Sequence, residues 1–371
     1  MAIEGMMTVT QKRIAVLGGG NGGHMMAVDL TARGYRVHLY EHPKFEESFK
    51  PTLIKGAIEV SGIGPCGTFP IHQISMDMGK TLNNADWIHV VIPANGHDLF
   101  FREMIPHLCQ GQKVVIWAGN FGALRLRKML TDQNKDPGIA IIETNTLPYG
   151  TRLEGPAKIN LLLVAPQVLA TALPALRTDE LIDEFQAMFP CIVKAKHVLA
   201  AAFNNPNPIV HPPGSLLNTG RIQYSGGDFY MYREGITEAV AFVIREIYEE
   251  SRRVAEIFNF NMLQYRDIDF RTTTSIMGVG FVAPFDTLGV IASIIGPTSL
   301  KSRYITEDLP YGLVPRSELG RLVNVSTPII ESIVSIGSVV CQENFWQTGR
   351  TLKTLGLEGL NREEILQIIE G

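Results

Sequence analysis

The sequence predicts an α/β fold, a doubly wound parallel sheet in the first half followed by a mostly helical second half. Two observations carry this. The apolar run Arg13-Ile14-Ala15-Val16-Leu17 opens directly into Gly18-Gly19-Gly20-Asn21-Gly22-Gly23, and short β-rich runs then alternate with helical segments. Such alternation is the pattern of a parallel sheet covered on both faces. Beyond residue 195 the strand signals fade and amphipathic helical spacing takes over. The chain thus divides into a flexible leader over 1–10, a dinucleotide-binding domain over 11–195 and a helical substrate domain over 196–371.

The glycine loop defines the first functional expectation. Gly18 lets the strand turn sharply, Gly20 lets the backbone approach a pyrophosphate, and Gly23 lets the next helix pack closely on the sheet. Asn21 and Gly22 complete the loop, and free N–H groups at the helix N-terminus face the phosphates. The segment Met25 to Arg33 reads as that helix, Gly34 ends it, and Tyr35 to Tyr40 reads as a second strand tipped by Glu41. This is a Rossmann-type plan. An acid at that tip accepts from the adenosine ribose and repels a 2′-phosphate, which favours NAD. NADP is the alternative, because His42 and Lys44 follow at once and offset the repulsion.

Further strands are expected at Trp87 to Ile92, Lys113 to Trp117 and Ile139 to Ile142, each running out into a loop. Ligands of open α/β sheets bind at that edge, so Pro93, Ala94, Asn120 and Thr144 are candidates for the nicotinamide half of the site; ordinary strand-end loops are the other reading. Lys158 to Val164 and Cys191 to Lys194, around a helix near Asp179 to Met188, read as extensions of the same sheet. In the second half, Thr237 to Phe258 is a long amphipathic helix, with Val240, Val243, Ile247, Val254 and Phe258 on one face. Helices are also expected over Pro284 to Ile295, Pro315 to Leu322, Thr327 to Val340 and Arg362 to Glu370, the last two capped by Thr327 and Asn361.

Composition sets limits on function. With 371 residues, 45% hydrophobic and 19% charged, the chain is of globular type with about two domains, and its net charge of −4 provides no basic field for nucleic acid. Cys66, Cys109, Cys191 and Cys341 are scattered without metal-ligand spacing, as expected of free thiols in a reducing compartment. No apolar run reaches membrane-spanning length, and Met1 to Thr10 lacks the regions of a signal peptide, so a cytoplasmic protein with no membrane partner is expected. A monomer or a homodimer fits equally.

Two polar clusters lie in the second half. In Asn204-Asn205-Pro206-Asn207-Pro208-Ile209-Val210-His211-Pro212-Pro213, a proline-restricted loop ends in an imidazole suited to proton transfer, although a packing histidine fits the same pattern. In the loop from Lys301 to Pro315, Arg303 can fork onto a carboxylate and Asp308 can orient an imidazole. A local ion pair of Arg303 with Glu307 or Asp308 is the competing reading.

The loop Gly20-Asn21-Gly22-Gly23-His24, the segment Asn207-Pro208-Ile209-Val210-His211-Pro212, the run Arg303 to Asp308, and Gly312-Leu313-Val314-Pro315 with Ser317-Glu318-Leu319-Gly320-Arg321 together resemble the opine dehydrogenases. The resemblance extends to Glu234-Gly235-Ile236-Thr237 and to the ending Gly349-Arg350-Thr351-Leu352 with Leu355-Gly356-Leu357. It implies that the small-molecule substrates are an L-amino acid and a 2-oxo acid, pyruvate first, whose imine is reduced by a nicotinamide hydride. It further implies that His211, Arg303 and Asp308 occupy the catalytic positions. Arg303 would hold the oxo-acid carboxylate, His211 would serve as acid and base, and Asp308 would set its tautomer and favour imidazolium. The amine partner is left open. Asn205 and Asn207, with Phe203, Phe229 and Tyr230, are candidates to line its pocket.

Two other functions are compatible with the plan. One is a 2-hydroxyacid, ketopantoate or glycerol-phosphate type dehydrogenase, for which Lys194 and Lys196 are the candidate catalytic lysines. The other is a non-catalytic NAD-binding sensor.

Overall fold

The computed structural model describes residues 12–263 and 295–371. The expected leader and, apart from Ile295, the expected helix over Pro284 to Ile295 lie outside the described residues.

An eight-stranded sheet runs in the order β12-β11-β8-β7-β6-β1-β2-β5. Its centre is β1 (Arg13–Leu17), flanked in parallel by β2 (Arg36–Tyr40) and β6 (Trp87–Val90). β5 (Gln73–Ser75) lies beyond β2, while β7 (Lys113–Ile116) and β8 (Ala140–Thr144) extend the parallel run beyond β6. β11 (Val168–Leu173) pairs antiparallel with β8, and β12 (Ile192–Lys194) pairs in parallel with β11. The strand order reverses between β1 and β6, so the crevice of a doubly wound sheet opens at Leu17 and Val90.

Period-two alternation along β1 sends Ile14 and Val16 into one core and Ala15 and Leu17 into the other. The first core is closed by Met25, Met26, Val28 and Leu30 of helix α1 (Asn21–Ala32). The second continues through Ile88, Val90 and Ile116 into Val210, Ile244 and Leu309 of the helical half, so one apolar core joins the two halves.

The structure corrects three of these local expectations. Helix α1 begins at Asn21 rather than at Met25, so the last part of the glycine loop is already its first turn. Lys158–Val164 is a strand, β10, but it does not extend the main sheet. It belongs to a separate four-stranded sheet, order β4-β3-β10-β9, built from β3 (Ala57–Gly62), β4 (Gly67–Pro70) and β9 (Tyr149–Gly155). The sheet extension comes instead from Val168–Leu173, whose residues are buried throughout. Finally, Thr327 makes no side-chain cap. The helix Pro328–Cys341 is capped from afar by Glu250, whose carboxylate accepts from Ile329 N–H and Ile330 N–H, both at 2.9 Å. Asn361 does cap Arg362–Glu370, in a capping box with Glu364.

The amphipathic helix forms over Glu238–Ile257, with Val240, Ile247 and Val254 buried and Val243 at its margin. Helix Val314–Leu322 likewise forms where expected.

Candidate active site

The nucleotide loop has the required steric design. Gly18 sits at φ +114°, and a Cβ there would meet Val91 O at 2.5 Å. A Cβ at Gly23 would fall on the carbonyl oxygen of Gly18, whereas one at Gly20 would meet nothing within 4 Å. The close helix approach and the open face for a pyrophosphate are therefore both present, and the first turn of α1 has no side-chain cap on its N–H groups. Asn21 points elsewhere: its Oδ1 accepts from Leu153 N–H at 2.7 Å and its carbonyl from Thr151 Oγ1, which clamps β9 to the helix start.

Glu41 ends β2 and is buried. Its Oε2 accepts from Gly19 N–H at 2.8 Å and its Oε1 from His42 N–H at 2.8 Å, while burial raises its pKa. Gly19 was missed by sequence reasoning, yet it is needed here, since a Cβ would strike the Phe49 ring at 2.5 Å. His42 Nε2 contacts Glu103 Oε1 at 2.7 Å, and Lys44 is exposed. The open face at Gly20 and the uncapped first turn of the helix fit the pyrophosphate of a dinucleotide.

At the strand ends, several candidates are committed to protein contacts. Thr144 is fully buried, its Oγ1 accepting from Ala118 N–H and donating to Thr146 O. Asn120 Oδ1 accepts from Asn205 Nδ2 at 2.9 Å, and Asn205 Oδ1 accepts from Asn207 N–H at 3.0 Å. These two buried asparagines tie the end of β7 to the helical half rather than presenting amides to a ligand. Phe203 and Phe229 are core residues, so they too are withdrawn from the pocket. Pro93 is exposed, Asn207 is half-buried, and the Ala94 N–H donates to Glu307 Oε1 at 2.9 Å. That last contact brings the Arg303–Asp308 segment against the end of β6. Arg350 fastens the same junction, donating to the carbonyls of Gly119 and Asn120 and contacting His97 Nδ1 at 2.7 Å.

His211 does not lie in a loop. It is on the helix Asn207–Leu216, which tolerates Pro208 in its first turn and Pro212 and Pro213 inside. Arg316 steadies the approach to this helix, its Nη2 donating to the carbonyls of Ala202, Phe203 and Asn205 at 3.0–3.1 Å. Nor do the 301–315 residues form a loop: Arg303–Thr306 is a helical turn and Asp308–Leu313 a π-helical one. Gly312 lies so close to the Pro208 ring that a Cβ would clash, and this close approach brings Asp308 to His211.

His211 Nδ1 and Asp308 Oδ2 are 2.8 Å apart, both residues buried. His211 Nε2 lies 2.9 Å from the hydroxyl of Tyr232, and the Tyr304 ring stacks on the imidazole at 3.9 Å between centroids and 12° between planes. Arg303 is half exposed, and its Nη1 reaches Glu307 Oε2 only at 3.9 Å, so the local ion pair exists but leaves most of the guanidinium open. Burial, and then the Arg303 charge, lower the His211 pKa to about 3, while burial pushes the Asp308 carboxyl up to about 8. Burial thus works against the imidazolium that Asp308 was expected to favour, and the proton of the 2.8 Å contact belongs to the pair.

Tyr232 and Arg152 were not singled out from the sequence. Arg152, on β9, adds a second cation that lowers the His211 pKa, and no carboxylate pairs with it among the described residues. Neither residue carries a local motif, because each acts through a contact between distant segments. Lys194 and Lys196 contact Asp179 and the Asn259 carbonyl on the exposed surface. Among the described residues, no group of three or more His, Cys, Asp or Glu side chains is placed to hold a metal, and no helix is long and apolar enough to cross a membrane.

The fold and the glycine loop define an NAD(P)-dependent oxidoreductase. Residues 194–341 match the family model of the NAD/NADP octopine/nopaline dehydrogenase alpha-helical domain. The chain is 31% identical to an opine dehydrogenase of Arthrobacter sp. (strain 1C) over 367 residues, 98% of this chain and 100% of that protein. It therefore belongs to the opine dehydrogenase family. Its fold is similar to octopine dehydrogenase solved with NADH and pyruvate (TM-score 0.71, 20% identity, 96% of this chain and 98% of that one). It is also similar to yersinopine dehydrogenase with NADP+ bound (TM-score 0.72, 15% identity, 97% and 98%).

Proposed function

We propose that this enzyme condenses an L-amino acid with a 2-oxo acid, pyruvate first, and reduces the imine to a secondary amine dicarboxylate with NADH, and that it runs the reverse oxidation. The observation that carries the reading is the His211–Asp308 contact of 2.8 Å beside the open guanidinium of Arg303, held against the end of β6 by the Glu307–Ala94 bond. A nicotinamide bound at the glycine loop supplies the hydride.

The chain's own residues supply the rest. Arg303 holds the oxo-acid carboxylate in two-pronged fashion, which fixes the face of the carbonyl carbon presented to the cofactor side. The buried His211–Asp308 pair stores the proton that the condensation consumes as water leaves, and takes it back in the oxidation. Stacked Tyr304 and the surrounding core keep water from the imine. Glu41 selects NAD through its place at the ribose. The ketopantoate-type reading is disfavoured because Lys194 and Lys196 are engaged on the surface.

The test is product identity. Incubation with NADH, pyruvate and an amino acid should yield the N-(1-carboxyethyl) amino acid by mass spectrometry. Lactate as the sole reduced product would reject the reading.

A further inference from the structure

A secondary amine dicarboxylate carries two carboxylates, one from each substrate, and both lose water where the substrates are joined. Arg303 answers for one of them. The acids beside it answer for neither, since Asp308 is engaged with His211 Nδ1 and Glu307 with the Ala94 N–H. A second guanidinium bears on the same imidazole from the other half of the protein. Arg152, on β9, acts electrostatically on both His211 and Tyr232, as Arg303 does from the helical half. We propose that Arg152 binds the α-carboxylate of the amino acid, as Arg303 binds that of the oxo acid, so that the amine and the carbonyl carbon meet between two guanidinium groups. This rests on the condensation reaction proposed above.

The backbone is fixed on either side of Arg152. Thr151 Oγ1 donates to the Asn21 carbonyl at 3.1 Å and Leu153 N–H donates to Asn21 Oδ1 at 2.7 Å, which holds β9 against the first turn of α1. Successive side chains of a strand point to opposite faces, so with Thr151 turned to α1 the Arg152 side chain leaves β9 on the other face. The acid two residues along that face, Glu154, is already taken, by Asn160 Nδ2 at 2.8 Å and by Lys158 Nζ at 3.9 Å. Arg152 Nη1 donates to the Thr151 carbonyl at 3.0 Å, while Nε and Nη2 donate to no atom among the described residues. Nε and Nη2 form one edge of the guanidinium, the edge that takes a carboxylate in two-pronged contact. The side chain is exposed, so a substrate can reach it.

A pyrophosphate is the other anion within range of the start of α1. It belongs on the N–H groups of that helix, whereas Arg152 leaves β9 on the face away from α1 and its charge bears on His211 and Tyr232. Recognition of the amino acid by its carboxylate, and not only by its side chain, makes a free α-carboxylate a requirement of the amine substrate.

The test compares the preferred amino acid with its own amide, with pyruvate and NADH held constant. In the unmodified enzyme kcat/KM for the amide should be lower by about tenfold or more. Equal values would overturn the proposal, and this arm needs no variant. Arg152→Ala should raise the KM for the amino acid by about tenfold or more and erase its advantage over the amide, with the KM for pyruvate and the Kd of NADH nearly constant. A weakened Kd of NADH with the amino-acid KM unchanged would make Arg152 a pyrophosphate ligand and overturn the proposal. A variant with all three constants unchanged would overturn it as well. If the unmodified enzyme oxidises NADH at full rate without any amine, the condensation reading itself fails; an amine-dependent enzyme that ignores the carboxylate removes the Arg152 assignment alone.

Discussion

Glu307 of the helical half accepts a 2.9 Å hydrogen bond from the N–H of Ala94, which stands just past the end of β6. Both residues are buried, so the bond is a fixed strut between the sheet and the segment that carries Arg303 and Asp308. Glu307→Ala leaves a buried N–H unpaired and should cost about 1–3 kcal/mol. Glu307→Gln, which keeps an accepting oxygen, should cost clearly less. Thermal or urea unfolding of the two variants checks the difference, and equal losses would remove the strut from the account.

Cofactor choice follows from Glu41. Its carboxylate is fixed by Gly19 N–H and His42 N–H, the nearby His42 imidazole is held by Glu103, and Lys44 is exposed. NADH should be preferred over NADPH in kcat/KM by at least about tenfold. Preference for NADPH would reassign His42 and Lys44 as phosphate ligands.

Arg303→Lys keeps the charge and loses the fork. The KM for the oxo acid should rise about tenfold or more while the Kd of NADH stays nearly constant. Unchanged kinetics would reduce Arg303 to its weak 3.9 Å pairing with Glu307.

The His211–Asp308 pair should give the two directions opposite pH profiles. Burial pushes the Asp308 pKa up to about 8, so the pair should carry its proton below that pH and lose it above. Imine formation and reduction consume a proton, so this direction should fall as pH rises through about 8, and opine oxidation should fall as pH drops through the same value. His211→Ala and Asp308→Asn should each abolish most activity, and the double variant should be little worse than the more damaged single one. Additive losses would dissolve the pair.

How much of this was legible in the sequence depended on whether the information was local. β1 and the helix Arg362–Glu370 lie where periodicity and capping place them. Lys158–Val164 has a strand's alternation, but alternation does not say which strand it pairs with, and its partners in β3 and β9 bear no label for that pairing. Four prolines between Pro206 and Pro213 hid the helix that carries His211, because a helical ladder missing several N–H donors looks like a loop. Arg303 and Asp308 stood out through family resemblance. Asn120 and Asn205 had the right polarity for ligand contacts but satisfy each other. Tyr232, Arg152 and Gly19 could not be found, because their significance is a contact with a residue far along the chain.

The central claim is that hydride transfer goes to an imine assembled from two substrates. The direct measurement is the initial rate of NADH oxidation with pyruvate, 2-oxobutyrate or glyoxylate, each alone and each with the twenty amino acids. The account predicts a slow rate with any oxo acid alone and a rise of at least about tenfold when the right amino acid is added. Full activity without any amine would contradict it and make the protein a simple 2-hydroxyacid dehydrogenase.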